Sequence, residues 1–152
     1  MKNNNPGNIR SSSAAWIGQT GVSSNGFVIF DSLKFGYRAL YKLLDNYIKA
    51  GYDTIDKIIN RWAPPADNND TETYIKNVSK RTGLTPYEKV KKTDIFVIGL
   101  AISQQEHSQV DKEAAKDGIS LLNIQSGKND STSGLLSIFF VVGIGLLFFK
   151  SK

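Results

Sequence analysis

The chain has 152 residues, 40% of them hydrophobic, which is enough for one domain with a packed core and an appendage. It contains no cysteine, which excludes a disulfide framework, a thiolate zinc site and a cysteine nucleophile. Its single histidine, His107, disfavours a Ser-His-Asp triad and a histidine-rich metal site. Neither a metal nor a cofactor is therefore expected. The net charge of +5 attracts polyanions, but the lysines are scattered and no nucleic-acid motif is present, so no nucleic-acid partner is expected.

Residues 1–106 are predicted to be mainly α, with a small β element. The stretch "GFVIFDS", residues 26–32, has the β-branched and aromatic density of a short strand. A helix is expected over residues 33–49, because apolar residues recur at helical spacing until a stop near Gly51. Asp53 or Thr54 opens a second helix, which ends at the "APP" sequence because proline removes a backbone donor.

Two further helices are predicted before residue 107. One starts around Thr71, buries an apolar face and ends at Thr82 and Gly83. The next is capped by Thr93 and runs through "DIFVIGLAISQQE". It is the most apolar of the predicted helices, and we therefore expect it to be the central helix of the domain.

The C-terminal part is predicted to be a membrane anchor on a linker. Residues 107–133 are expected to form a linker with a short helix at "DKEAAK", and residues 134–150 a transmembrane helix, since no charge occurs from 131 to 149. A buried core helix is the alternative for the apolar segment. No signal peptide precedes the domain, so we expect a tail-anchored protein, with Lys150 and Lys152 favouring a cytoplasmic or virion-interior C-terminus.

Three polar stretches carry the candidate chemistry. In "NNNPGNIR", Pro6 and Gly7 fit a type II turn whose asparagines can bond the backbone or a sugar hydroxyl, and a simple turn is the alternative. In "RWAPPADNND", prolines end a helix and a polar loop follows. In "AISQQEH", Glu106 ends an apolar helix, where desolvation and the helix dipole disfavour the charged carboxylate, as a general acid requires. An exposed helix-terminal glutamate is the alternative.

These motifs, with "FDS" followed by "GYRAL", occur in an order that resembles a family of small phage and prophage virion proteins in the lysozyme-like superfamily, over about residues 3–106. Members are similar to peptidoglycan-cleaving muramidases and lytic transglycosylases, and several are described as structural proteins. The resemblance implies a lysozyme-like helical domain whose helix "LAISQQEH" ends in a catalytic glutamate, although His107 stands where the family pattern has serine or asparagine. In that pattern the glutamate precedes the polar loop, so a circularly permuted arrangement is hypothesised, with Glu106 near the N-terminal loop in space.

The expected function is a membrane-anchored, phage virion-associated peptidoglycan-degrading enzyme, a lytic transglycosylase or muramidase, acting in host entry or lysis. The alternative is a non-catalytic structural virion membrane protein with the same fold. Glu106 is the predicted catalytic residue, and Asp67 or Asp70 as a second carboxylate would indicate a hydrolase. The predicted substrate-binding residues are Asn5, Asn8, Arg10, Trp16, Arg61, Trp62, Asp67, Asn68, Asp70 and Tyr74. Expected partners are peptidoglycan glycan strands, a lipid membrane and capsid or other virion proteins, and the expected location is the virion membrane or the host cell membrane.

Overall fold

The computed structural model describes residues 2–108 and 110–131. It confirms a mainly helical domain with a small two-stranded sheet. The strands are β1 (Gln19–Val22) and β2 (Val28–Phe30), and the helices are α1 (Leu33–Lys49), α2 (Ile55–Trp62), α3 (Thr71–Thr82), α4 (Ile95–Glu106) and α5 (Lys112–Ser131). Short 3-10 turns cover Lys2–Asn4, Pro65–Asp67 and Lys92–Asp94.

Helix α1 occupies the centre of the domain. Its side chains Tyr37, Leu40, Tyr41 and Leu44 are fully buried, and it contacts α2, α4, α5, β2 and the N-terminal 3-10 turn. The prediction that α4 is central was wrong, because part of α4 faces solvent, with Val97 41% exposed. The continuous apolar character of α4 therefore reflects packing against α1 and α3 on one side and an uncovered surface on the other.

The helix boundaries largely follow the expected capping chemistry. The Thr54 hydroxyl accepts a hydrogen bond from the Lys57 backbone N–H at 3.2 Å and caps α2, and Gly83 ends α3 with a φ of 76°. The predicted cap of α4 was wrong, because Thr93 lies inside a 3-10 turn and Asp94 directly precedes the helix. The Asp94 carboxylate accepts from the Lys91 backbone N–H at 2.7 Å and holds that turn.

The β element is a hairpin that the N-terminal loop extends. Strand β2 lies within the predicted strand, whereas its antiparallel partner β1 was not predicted, since "QTGV" is polar and contains glycine. The bridge between Arg10 and Phe27 and the hydrogen bond from the Val28 N–H to the Ile9 carbonyl, 2.9 Å long, attach the N-terminal loop to the hairpin. The loop is thereby fixed beside the first turn of α1.

Helix α5 replaces most of the predicted linker 107–133. It runs for 20 residues and packs along α1, with Ala115 fully buried and Leu122 6% exposed. Gly118 permits this approach, because a Cβ there would lie 2.6 Å from the Tyr37 Cβ. The packed core therefore continues beyond residue 106 into the first part of α5, which overlaps the stretch "DKEAAK" predicted to be a short helix.

The predicted membrane anchor, residues 134–150, lies outside the described residues. Among the residues that the structure describes, no helix combines the length and apolar character that crossing a membrane requires. The anchor stays a prediction from the sequence.

Candidate active site

The N-terminal loop is held by the side chain of Asn5, which is 1% exposed. Its Nδ2 donates to the carbonyls of Ile9 and Val28, each at 2.9 Å, and its Oδ1 accepts from the Ile9 N–H at 2.8 Å. Both amide hydrogens are therefore used inside the protein. Asn5, predicted to bind substrate, instead fixes the loop that carries Asn8.

Pro6 and Gly7 form the expected turn, closed by a hydrogen bond of 3.3 Å from the Asn8 N–H to the Asn5 carbonyl. The type II assignment was wrong, because Gly7 has no positive φ, whereas Asn8 has a φ of 48°. Glycine is required at position 7 by space: a Cβ would lie 2.9 Å from the Trp62 ring. The turn therefore packs its backbone directly on the Trp62 indole.

The Glu106 carboxylate lies where the N-terminal loop, α2 and α3 meet. Its Oε2 accepts from Asn8 Nδ2 at 2.8 Å, and its Oε1 accepts from the Tyr74 hydroxyl at 2.7 Å and from Trp62 Nε1 at 3.3 Å. The two oxygens of a carboxylate offer about four lone-pair positions, so these bonds leave one on Oε2. Glu106 is half-buried, and the structure thus brings four of the predicted site residues together.

Tyr74 serves this cluster as a neutral donor. The residue is 7% exposed, and burial raises the pKa of its hydroxyl, with the nearby negative charge of Glu106 adding to the effect. The hydroxyl therefore keeps its proton and points it at Glu106 Oε1. Tyr74, predicted to bind substrate, is thus a buried residue whose hydroxyl contacts Glu106.

His107 contributes a contact that the sequence did not indicate. Its Nε2 lies 3.2 Å from the Asn5 carbonyl oxygen, and because a carbonyl can only accept, Nε2 carries the hydrogen in this contact. Together with Asn8 and Glu106, this bond joins the end of α4 to the N-terminal loop at two successive residues. The spatial proximity required by the permuted arrangement is therefore present, while the lysozyme-like fold stays a prediction.

A second polar row lies beside the Glu106 cluster. Gln105 Oε1 accepts from Arg81 Nη1 at 2.7 Å and from Asn77 Nδ2 at 3.2 Å. These residues were not predicted from the sequence. Positions 74, 77 and 81 do recur at the spacing of one helix face, and this pattern indicates that Asn77 and Arg81 lie on the same side of α3 as Tyr74. The positive charge of Arg81 also acts on the Tyr74 hydroxyl.

The aspartates of the polar loop have other roles in the structure. Asp70 caps α3 by accepting from the Thr73 N–H at 3.1 Å, and hydrogen bonds from the Thr73 hydroxyl and N–H lower the Asp70 pKa. Asp67 and Asn68 are exposed, and Asn68 has a φ of 59°. No hydrogen bond among the described residues links Asp67 or Asp70 to Glu106.

The remaining predicted site residues lie outside the Glu106 hydrogen-bond cluster. Arg10 is exposed and places its guanidinium over the Phe27 ring, 4.9 Å from the centroid. Arg61 is exposed in the last turn of α2. Trp16 is half-buried against the core, and its Nε1 has no hydrogen-bond partner among the described residues. In the described part of the chain, no three histidine or acidic side chains come together in a way that could hold a metal.

Comparison with known proteins relates the chain to a bacteriophage. No protein-family model matches it. The chain is similar to Protein P5 of Pseudoalteromonas phage PM2, with 38% identity over 95 residues. The match covers 59% of this chain and 59% of Protein P5, so it spans about three fifths of that relative. The chain is therefore similar to a phage protein over about three fifths of its own length.

Proposed function

We propose that the protein is a phage virion-associated enzyme that cleaves the glycan strands of peptidoglycan, with Glu106 as its acid and base. The observation that carries the proposal is the half-buried Glu106 carboxylate, oriented by Asn8, Trp62 and Tyr74. Similarity to a phage protein supports the virion assignment. The apolar segment 134–150, proposed as an anchor, would confine cleavage to the wall next to a membrane and raise the local concentration of enzyme there.

The free lone-pair position on Glu106 Oε2 defines the proposed chemistry. A proton at Oε2 is donated to the glycosidic oxygen while Oε1 keeps its bonds from Tyr74 and Trp62, which hold the carboxyl group in place. The bond from C1 to the glycosidic oxygen breaks, and the next sugar leaves with that oxygen as a hydroxyl. The resulting Glu106 carboxylate then takes the proton of the muramic acid 6-hydroxyl, whose oxygen bonds to C1. This sequence needs one carboxyl group and gives a 1,6-anhydro product, so we favour a lytic transglycosylase over a muramidase, which uses a second carboxylate.

The rival function is that of a non-catalytic virion protein which joins glycan, membrane or other virion components. It has specific support, because the Glu106 bonds span 98, 44 and 32 residues of sequence and could serve only to hold the fold together. The two functions differ in what the loss of the carboxylate does. If the cluster is purely structural, another pair of side chains that makes the same hydrogen bonds can replace Glu106 and Asn8 without loss of function.

The test uses the full chain and dye-labelled sacculi. Glu106→Gln is expected to reduce dye release by about 100-fold or more, whereas the exposed Glu72→Gln is expected to act as wild type. Chromatography of the products should show 1,6-anhydro ends. Reducing ends alone would indicate a hydrolase, and wild-type protein without any release would favour the structural rival.

A swapped pair separates folding from catalysis. In Glu106→Gln, the orientation that keeps the oxygen on Tyr74 and Trp62 turns the NH2 group toward Asn8 Nδ2, so two donors meet there. Combining it with Asn8→Asp restores one donor and one acceptor at this contact and preserves the net charge. We expect the double variant to regain unfolding free energy while releasing no dye. Recovered dye release would show that Glu106 is not required for the chemistry.

A further inference from the structure

Three aromatic rings in contact lead from the Glu106 cluster to the surface of the domain. The first is Trp62, whose Nε1 donates to Glu106 Oε1 at 3.3 Å. The Tyr47 ring meets the Trp62 indole edge-on, with the centroids 6.4 Å apart, and the Tyr52 ring lies against Tyr47 at 5.9 Å. Trp62 and Tyr47 are half-buried, whereas Tyr52 is 38% exposed. We call these three residues the aromatic row.

The backbone at the end of α1 fixes the outer half of the aromatic row. The Tyr52 N–H donates to the Tyr47 carbonyl at 3.0 Å, and the Gly51 N–H donates to the Ile48 carbonyl at 3.1 Å. With a φ of 88° at Gly51, these bonds form a Schellman motif, which usually places the side chains of its first and last residues in apolar contact. The Tyr52 ring is therefore held against Tyr47 before any ligand binds.

The hydroxyl groups of both tyrosines are not needed for this packing. A helix end of this kind requires only an apolar contact, which leucine or phenylalanine would also supply. No hydrogen bond between residues that the structure describes uses the hydroxyl of Tyr47 or Tyr52. The Tyr47 hydroxyl is also not a buried atom that lacks a partner, so it reaches solvent. Each tyrosine thus keeps a donor and acceptor next to an apolar ring.

We propose that the aromatic row binds a β-1,4-linked glycan strand and extends the sugar-binding site from Glu106 out to Tyr47 and Tyr52; this assignment rests on the proposed function and deepens it. A pyranose ring has an apolar C–H face and a polar edge, which match the ring and the hydroxyl of a tyrosine. The steps of 6.4 and 5.9 Å between rings are close to the length of one sugar unit, so successive sugars can meet successive rings.

Binding of N-acetylglucosamine oligomers by the full-chain protein tests the aromatic row without cleavage. These oligomers have the β-1,4 backbone of the wall glycan but lack the muramic acid on which the proposed reaction depends. Calorimetric titrations with the dimer and the hexamer give a Kd for each. We expect the hexamer to bind about fivefold more tightly than the dimer, because only the hexamer is long enough to reach from Glu106 to Tyr52.

Substitutions at Tyr52 separate sugar binding from packing. Tyr52→Leu keeps an apolar contact with Tyr47 and removes the ring, so it should weaken hexamer binding about fivefold while the dimer Kd and the melting temperature stay as in wild type. Tyr52→Phe keeps the ring and should retain most of the hexamer affinity. Tyr87→Leu, at a tyrosine 78% exposed and outside the aromatic row, should leave both Kd values unchanged. A wild-type hexamer Kd in Tyr52→Leu, or equal binding of dimer and hexamer by wild type, would overturn the assignment.

The dye-release assay distinguishes failure of the aromatic row from failure of the proposed cleavage. Dye release by a wild-type protein whose affinity does not increase with oligomer length would remove the aromatic row and leave the proposed function standing. Affinity that increases with length through Tyr52, in a protein that releases no dye, would keep the aromatic row as a glycan-binding surface and favour the non-catalytic virion protein.

Discussion

Asn8 donates a side-chain hydrogen to Glu106 Oε2 at 2.8 Å, although the two residues are 98 positions apart in the chain. Trp62 and Tyr74 donate to the other oxygen of the same carboxylate, at 3.3 Å and 2.7 Å. The end of α4 is consequently fixed to the N-terminal loop as well as to α2 and α3. The Glu106 side chain therefore contributes to the stability of the fold and is also the proposed catalytic group.

The hydroxyl of Tyr74 is expected to contribute strongly to stability. Tyr74→Phe leaves the buried ring in place and removes the donor to Glu106, and a hydrogen bond to a charged group contributes about 1.5–3 kcal/mol. We expect the free energy of unfolding in urea to fall by about 2 kcal/mol. Tyr87→Phe, at a residue 78% exposed, should change nothing. A Tyr74→Phe protein as stable as wild type would contradict the 2.7 Å contact.

The close approach of Gly7 to Trp62 predicts a destabilising Gly7→Ala. The added methyl would lie 2.9 Å from the indole and 3.2 Å from a Leu40 methyl, so the Trp62 ring or the turn must shift. Overpacking of this kind costs about 1–3 kcal/mol. Urea unfolding and tryptophan emission should both change. Gly21→Ala is the matched control, because its Cβ would meet Ile29 at an ordinary 3.8 Å.

The charge of Asp45 predicts a stability that depends on acid. Burial opposes its ionisation, but the hydrogen bond from Lys49 at 2.7 Å and the charges of Lys49, Lys42 and Lys92 outweigh burial and lower its pKa below 3.8. Since the folded pKa lies below the unfolded one, this stabilisation is complete above the unfolded pKa and is lost as pH falls through the folded value.

We therefore expect Asp45→Asn to be less stable than wild type at neutral pH, with the difference shrinking below about pH 4. Melting temperatures measured along an acid series give the comparison. Asp117→Asn, at an exposed residue, should show no such convergence. A stability difference that stays constant down to the acid end would exclude the ion pairs as its origin.

The two loop aspartates should respond differently to substitution. Asp70→Ala removes the cap of α3 and should lower the melting temperature, whereas Asp67→Ala should not. If Glu106 is the only acid, both variants keep the wild-type turnover once folded. A loss of turnover in Asp67→Ala, with unchanged melting, would identify a second carboxylate and return the muramidase assignment.

The first four helices could be predicted because their information is local. An apolar stripe at helical spacing, with Thr54 at one start and Gly83 at one end, marks each element within a few residues. Helix α5 could be predicted only at its start, where "DKEAAK" has a helical composition. Its full length could not be predicted, because the glycine, serine and asparagine residues of its second half favour a linker.

The candidate site was predictable residue by residue but not as an arrangement. Glu106, Trp62 and Asn8 stand in motifs that the sequence makes visible, yet nothing local states that they touch, because the contacts close 44 and 98 residues of chain. The sequence did not predict the contacts of Gln105, Arg81 and His107, because each of these residues bonds to a partner on another segment. Asn5 was predicted to bind substrate for the same reason, because its hydrogen bond to the Val28 carbonyl depends on a distant segment of the chain.

Four asparagines lie near the start of the chain, and the structure gives each of them its own role. Asn3 has a φ of 64°, a backbone conformation that asparagine and glycine tolerate best. Asn4 combines a positive φ with a hydrogen bond to the Phe30 carbonyl, Asn5 has only hydrogen bonds, and Asn8 again combines both. Glycine at position 3 would consequently keep what the backbone requires there, but each of the other three positions constrains its side chain for a different reason.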